Sequence, residues 1–299
     1  MTRMIGGGAE KKFFGRTIMA LFLLCTPAVS HAQDAGRHAA PRTKSYLYWT
    51  NSANGSVGRA TVKGTKVNEN FIALNTFGGA GLTVDSNYIY WTSANGGTAT
   101  TIARANLDGS GANPDFITGA ENPCGVAVDS SYIYWAGDVG SSIGRANLDG
   151  TGVNQDFIDT GGGVCGVAVT SSYIYWANYR TGDIGRANID GSGVNLDFIS
   201  GCGSGIAVEG GYIYFTTASG TGIGRANLDG TGVNLTFMTG LNGEVAFLAA
   251  NSTHLYWADW DDNAGTTIGR SMLSGKKINQ NFITGTDGGF GIAVTGGDP

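Results

Sequence analysis

The chain has 299 residues, of which 51 are glycine and 5 proline, with 14% charged and 10% aromatic. Glycine costs a helix about 1 kcal/mol per position relative to alanine, which excludes a helical bundle. The aromatic content excludes a flexible linker, and the lack of a strict every-third-glycine period excludes collagen.

The first 32 residues read as a secretory signal: Arg3, Lys11, Lys12 and Arg16 make a basic start, Ile18 to Leu24 an apolar run, and Ser30-His31-Ala32 a small-x-small cleavage site. The apolar run is too short for a transmembrane helix. Anchoring through lipidated Cys25 is the alternative, and Leu24 stands against it where such signals carry a small residue. Cleavage after Ala32 leaves 14 basic against 22 acidic residues, a net charge of −8. That balance argues against nucleic-acid and anionic-membrane binding, which need a basic face. The expected address is secreted or periplasmic. Residues 33–44 have no apolar period and read as a flexible leader.

From residue 45 the sequence repeats itself with a period near 42, a length typical of propeller blades. Tyr46-Leu47-Tyr48-Trp49 recurs at Tyr88–Trp91, Tyr132–Trp135, Tyr173–Trp176, Tyr212–Phe215 and His254–Trp257. An Ile-Gly-Arg-Ala-like segment follows each anchor, with its arginine at Arg59, Arg104, Arg145, Arg186, Arg225 or Arg270. Next comes a Phe-Ile-like pair at Phe71, Phe116, Phe157, Phe198, Phe237 or Phe282. Before the next anchor stands Gly-Val-Ala-Val or a relative, beginning at Gly81, Gly125, Gly166, Gly205 and, more loosely, Phe247.

These segments are short, β-branched or aromatic, and bounded by Gly, Asn, Asp or Ser, so each reads as a strand. Four antiparallel strands in each of six units predict an all-β, six-bladed β-propeller over 45–299. The first unit lacks a Gly-Val-Ala-Val segment, while an unpartnered Gly291-Ile292-Ala293-Val294 follows the last Phe-Ile pair. The C-terminal strand is therefore expected to complete the first blade.

Tyr-Ile-Tyr-Trp-Thr, then Ile-Gly-Arg-Ala-Asn-Leu-Asp-Gly, then Gly-Val-Ala-Val-Asp resembles the YWTD repeats of the low-density-lipoprotein-receptor class B type, a resemblance that implies a six-bladed propeller. The motif's last Asp stands only at Asp259; Asn51, Ser93, Gly137, Asn178 and Thr217 replace it elsewhere. The Trp…Ile-Gly-Arg cadence is also similar to virginiamycin B lyase. That likeness implies catalytic histidines, a glutamate and a metal, whereas only His38 and His254 lie beyond the signal, so no lyase residue is carried over.

Variation in length is confined. Arginine to Phe is always 12 residues and Gly-Val-Ala-Val start to anchor always 7, whereas anchor to arginine is 10 or 13. The spacing from the Phe to the next inner strand varies as well. Both variable stretches fall at the same end of an antiparallel blade, and loops on a rigid scaffold carry function. That end is the expected ligand-binding face, with Asp138, Tyr179, Arg180, Trp260, Asp261 and Asp262 as its distinctive residues. Exposed aromatics there suit a sugar or a peptide; packing against a neighbouring loop is their plainer role.

Cys124, Cys165 and Cys202 all precede inner strands of consecutive blades. In an exported chain they are disulfide candidates, with Cys165 bridging to either neighbour and one thiol left over. A metal or catalytic cysteine cluster would want a nearby histidine. The Asn147-Leu148-Asp149-Gly150-Thr151-Gly152 segment, repeated from Asn106, Asn188 and Asn227, faintly resembles a calcium loop and more strongly a hairpin turn. Six arginines at one strand position read as scaffold. Asp85, Asp129 and Glu209 could hold a cation at a channel mouth, or cap turns. No nucleophile triad, phosphate loop or histidine-rich motif is present in the sequence.

The expectation is thus an exported, monomeric binding propeller with a protein or carbohydrate ligand, no membrane span, no catalytic residues and no cofactor. The alternative is a lyase or hydrolase at the channel mouth using acids such as Asp261 or Glu244, with a divalent cation. A purely structural surface protein is a third reading.

Overall fold

A computed structural model describes residues 45–51, 55–73, 80–93, 100–260, 266–286 and 288–296. The expected signal peptide, leader and Cys25 lie outside the described residues. In chain order the strands are β1 (Tyr46–Asn51), β2 (Ser56–Thr61), β3 (Asn68–Ala73), β4 (Leu82–Val84), β5 (Tyr88–Ser93), β6 (Thr101–Asn106), β7 (Asn113–Thr118) and β8 (Pro123–Val128). They continue with β9 (Tyr132–Gly137), β10 (Ser142–Asn147), β11 (Asn154–Asp159), β12 (Val167–Val169), β13 (Tyr173–Asn178), β14 (Asp183–Asn188), β15 (Asn195–Ser200) and β16 (Cys202–Glu209). The last are β17 (Tyr212–Thr217), β18 (Ile223–Asn227), β19 (Asn234–Met238), β20 (Glu244–Ala250), β21 (His254–Trp260), β22 (Thr266–Met272), β23 (Asn279–Thr286) and β24 (Gly289–Val294).

They form six antiparallel four-stranded sheets, five of consecutive strands and one ordered β24-β1-β2-β3. The innermost strands touch in the circular sequence β24, β4, β8, β12, β16, β20 and back to β24, so the sheets are six blades around one axis. The closing strand is where the sequence places it: Leu47 pairs with Val294, Tyr48 with Ala293 and Trp49 with Ile292.

Each blade interface has its own apolar core. Tyr90 and Ile102 of the second blade pack with Val126, Ile133 and Trp135 of the third, and Ala168, Tyr175 and Ile184 of the fourth with Ile206, Ile213 and Phe215 of the fifth. The recurring motif follows from this packing. Trp49, Trp135, Trp176 and Trp257 lie directly across from Gly58, Gly144, Gly185 and Gly269. A Cβ on any of these glycines would collide with the indole. That is the physical reason for the Gly in Ile-Gly-Arg; in the second blade Ala103 stands across from Trp91.

The recurrent arginine is scaffold, as its periodicity implies. Arg104 lies 4.3 Å from the Tyr88 ring and 3.8 Å from the Phe116 ring, and its Nη1 donates to the Leu148 carbonyl of the next blade at 3.1 Å. Arg59 reaches Leu107 O and Arg270 reaches Val62 O in the same way. Each of these three arginines ties two blades together.

The two ends of the molecule differ. At one end the turn between third and fourth strands bonds to the turn after the inner strand, as in Leu107 N to Asn87 O and Ile189 N to Ser172 O. At the other end the loop between second and third strands bonds to the linker between blades, as in Asp138 N to Asn122 O and Val245 N to Gly220 O. The constant spacings belong to the first end and the variable ones to the second.

Candidate functional site

The side chains that line the axis are mostly small and aliphatic, with Thr83 adding a hydroxyl. The central channel is a narrow space of about 180 Å³ whose walls include Val126, Val167, Ile206, Leu248 and Ile292. A site for a polar ligand therefore belongs to one of the two ends.

The constant end carries the larger cleft, about 670 Å³ at the seam of the first and second blades, lined by Tyr46, Arg59, Asp85 and Asp108 among others. Its polar groups are already committed. Asp85 Oδ1 accepts from the amides of Asn87 and Tyr88, both at 2.7 Å, and its Oδ2 from the Tyr90 hydroxyl at 3.0 Å. Asp129 does the same in the next blade, so these aspartates cap turns. Asp108 accepts from the amide and hydroxyl of Ser110, which hold its carboxyl below the usual aspartate range. The oxygens of the Asn-x-Asp-Gly segments thus bond to one another within a hairpin whose Gly109 has φ +86°. Among the described residues no group of three or more His, Cys, Asp and Glu converges as a metal site.

The variable end presents an irregular cluster that is not repeated among the described residues of the other blades. The turn after β13 is shaped by Asn178, whose Oδ1 accepts from the amides of Arg180 and Thr181 at 3.1 Å each. This aims Tyr179 and Arg180 toward the preceding blade, where the Tyr179 hydroxyl donates to Asp138 Oδ1. Arg180 Nη2 lies 3.5 Å from the same oxygen, and its guanidinium 5.3 Å from the Tyr179 ring. Asn122 Nδ2 donates to the other oxygen of Asp138 at 3.3 Å. Asn122 itself has φ +48°, a conformation that Asn tolerates better than most residues. The linker passes close enough that a Cβ on Gly163 would strike Asp138 O and Arg180 Nε.

Three of the six expected ligand-binding residues, Asp138, Tyr179 and Arg180, are therefore brought together from two blades. Tyr179 is 40% exposed. Partial burial and the Asp138 carboxylate raise its hydroxyl pKa, so it acts as a proton donor at neutral pH. The Arg180–Asp138 pair is exposed and long; such pairs are worth about 0–1 kcal/mol. A ligand can draw the guanidinium away at little cost.

Tyr179 and Arg180 of this cluster line one wall of a cleft of about 400 Å³ across the fourth, fifth and sixth blades. Gly203, Ser204, Thr216 and Thr217 line its middle and Glu244 its far wall. Trp260 ends β21 directly opposite Glu244 in register, which places the fourth expected residue at this end of the sixth blade. Asp261 and Asp262 lie outside the described residues. Glu244 enters the site through the irregular inner strand of the sixth blade. Ser204 and Thr216 enter through a register shift between Cys202 and Ile206; the off-pattern Cys-Gly-Ser-Gly at 202–205 was their one visible signal.

The cysteines resolve in the same region. Cys124 and Cys165 form a disulfide between the third and fourth blades, with Cα atoms 4.8 Å apart. Cys202 is the thiol left over: it is 1% exposed, and burial, with Asp183 nearby, pushes its pKa up to about 12. It is an inert wall of the cleft, since the thiolate is the reactive form.

The fold and the cleft together define a six-bladed β-propeller with one differentiated face. No family model matches the chain, and no curated protein matches it in sequence. Among solved structures 563 chains share its shape, so the fold is too widely used to name a function. One chain from a crystal structure of a nidogen/laminin complex aligns with a TM-score of 0.68 at 19% identity, covering 84% of this chain and 98% of that one. The likeness shows the fold.

Proposed function

We propose that the chain is an exported binding protein that takes a protein or carbohydrate partner at the cleft of its variable face. The observation that carries this reading is Tyr179 and Arg180 on the cleft wall, both held by Asp138, with Glu244 also lining the cleft. A weakly held guanidinium suits a carboxylate, the half-exposed Tyr179 ring suits a sugar face or an apolar side chain, and Glu244 accepts hydroxyls or a cationic group. The small residues between them let a ligand backbone approach closely. The signal-like first 32 residues support export, and similarity to a propeller solved in a protein complex is compatible with a protein partner.

The test is affinity capture from the producing organism's envelope and culture medium, with the native protein and a Tyr179→Ala/Arg180→Ala/Glu244→Ala variant of equal melting temperature. A partner retained by the native protein and lost by at least tenfold in the variant (about 1.4 kcal/mol or more) is the expected result. Equal retention of every captured species by both proteins refutes the assignment of the cleft.

A further inference from the structure

The cleft of the variable face carries one charge that nothing balances. Arg180 is the only basic residue lining it, and its guanidinium is already paired with Asp138 at 3.5 Å. Glu244 lines the same cleft and is exposed. Among the described residues no hydrogen bond or ion pair ends on its carboxylate. The charge left over is therefore negative and sits on Glu244. The whole chain has the same sign, with a formal net charge of −5, so its field draws cationic ligands and repels anionic ones.

The fold positions this carboxylate. Gly220, in the turn after β17, has φ +75°, and a Cβ there would lie 3.2 Å from Glu244 Cγ and 3.7 Å from Oε1. The bare glycine is the seat of the Glu244 side chain. Two backbone bonds fix it: Gly220 N donates to the Thr217 carbonyl at 2.9 Å, and Val245 N to the Gly220 carbonyl at 2.8 Å.

The other polar groups of the cleft narrow the ligand class. Ser204 Oγ donates to the Ala246 carbonyl at 3.3 Å, Thr216 Oγ1 accepts from the Gly205 amide at 3.0 Å, and Thr217 Oγ1 bonds to Ser219 Oγ at 2.9 Å. Each of these hydroxyls already has a protein partner, which leaves a poor set for reading the many hydroxyls of a neutral sugar. What stays available is the weakly held guanidinium of Arg180 as a donor and Glu244 as the acceptor for a cation. A peptide segment with a basic side chain meets both, its carbonyl oxygens facing Arg180 and its ammonium or guanidinium facing Glu244. A free polyamine supplies the cation alone.

We propose that the partner of this cleft is a peptide segment that seats a lysine or arginine side chain on Glu244. Recognition of a basic residue rests on the cleft being the binding site; what Glu244 adds is the sign of the charge that the ligand brings.

The probes are short N-acetylated, C-amidated peptides, in pools that fix lysine, arginine, glutamate or leucine at one central position and randomise the rest. Retention is measured on the native protein, Glu244→Gln, Glu244→Lys and the triple cleft variant, all at equal melting temperature. The native protein should retain the lysine and arginine pools about tenfold over the leucine pool, the low end for a hydrogen bond to a charged group, with the glutamate pool last. Glu244→Gln should bring that ratio close to one, and Glu244→Lys should put the glutamate pool first. A ratio near one in the native protein, or an unchanged preference for basic pools in Glu244→Gln, overturns the proposal. So does tighter retention of neutral oligosaccharides than of any peptide pool, or putrescine bound as tightly as the lysine pool. In each of those cases, retention above that of the triple variant still marks the cleft as a binding site. Equal retention of every probe by the native protein and the triple variant overturns the cleft reading itself, and the proposal with it.

Discussion

At the scale of residues, the repeat is a set of steric and electrostatic fits. The missing Cβ at Gly144 makes room for the fully buried Trp135. Gly144→Val should therefore destabilise the protein by about 1–3 kcal/mol, the usual cost of overpacking, read as a lowered urea midpoint at unchanged slope. Ala103 across from Trp91 shows that a single methyl can be absorbed when its surroundings adjust. Arg104→Met keeps the stem between Tyr88 and Phe116 but loses the cation over two rings and the bond to Leu148 O. A loss of about 1–3 kcal/mol is expected by the same assay. A substitution of Arg180 to Met, on the cleft rim, should leave the midpoint within about 0.5 kcal/mol of native. That contrast separates scaffold arginines from the one argued to bind.

At the scale of elements, consecutive blades are joined by more than their linkers. The Cys124–Cys165 disulfide closes a loop with a sequence separation of 41, for which chain-entropy reasoning gives about 4 kcal/mol. Replacing both cysteines by serine should cost about 2–4 kcal/mol, and reducing agent should lower the native melting temperature but not that of the double variant. The strands themselves were legible in the sequence because each carries its aromatic or β-branched signature: Tyr-x-Tyr-Trp, Ile-Gly-Arg and Phe-Ile all fall inside observed strands. The pairing of Cys165 was not legible, because Cys124 and Cys202 occupy similar places in the flanking blades. Nor was the meeting of Asp138 with Tyr179 and Arg180, made across about 41 residues by two loops that share no motif.

At the scale of the whole molecule, six sheets become one object through β24. Gly291 N donates to Thr50 Oγ1 at 2.8 Å and Tyr46 N to Thr295 Oγ1 at 2.8 Å, across sequence separations of 241 and 249. The ring architecture and its closure were readable from the surplus Gly-Ile-Ala-Val at the end, since an orphan strand and an incomplete blade imply each other. The cleft was only half readable: the variable face followed from loop lengths, while the participation of Ser204 and Thr216 depends on a register shift that spacing does not reveal. Truncation after Gly289 removes Ile292 from the core shared by the first and sixth blades. Such a chain should lose its cooperative unfolding transition rather than shift it, as seen by near-ultraviolet circular dichroism.

Because nothing covalent distinguishes one molecule's closing strand from another's, the open edge of β1 is a vacancy that any copy can fill during folding. Local concentration normally decides the contest in favour of the chain's own β24. Refolding at rising protein concentration should shift that balance toward strand-exchanged dimers. Size-exclusion chromatography would show a larger species that forms only from the denatured state and persists on dilution, while protein that is never unfolded elutes unchanged at the same concentrations.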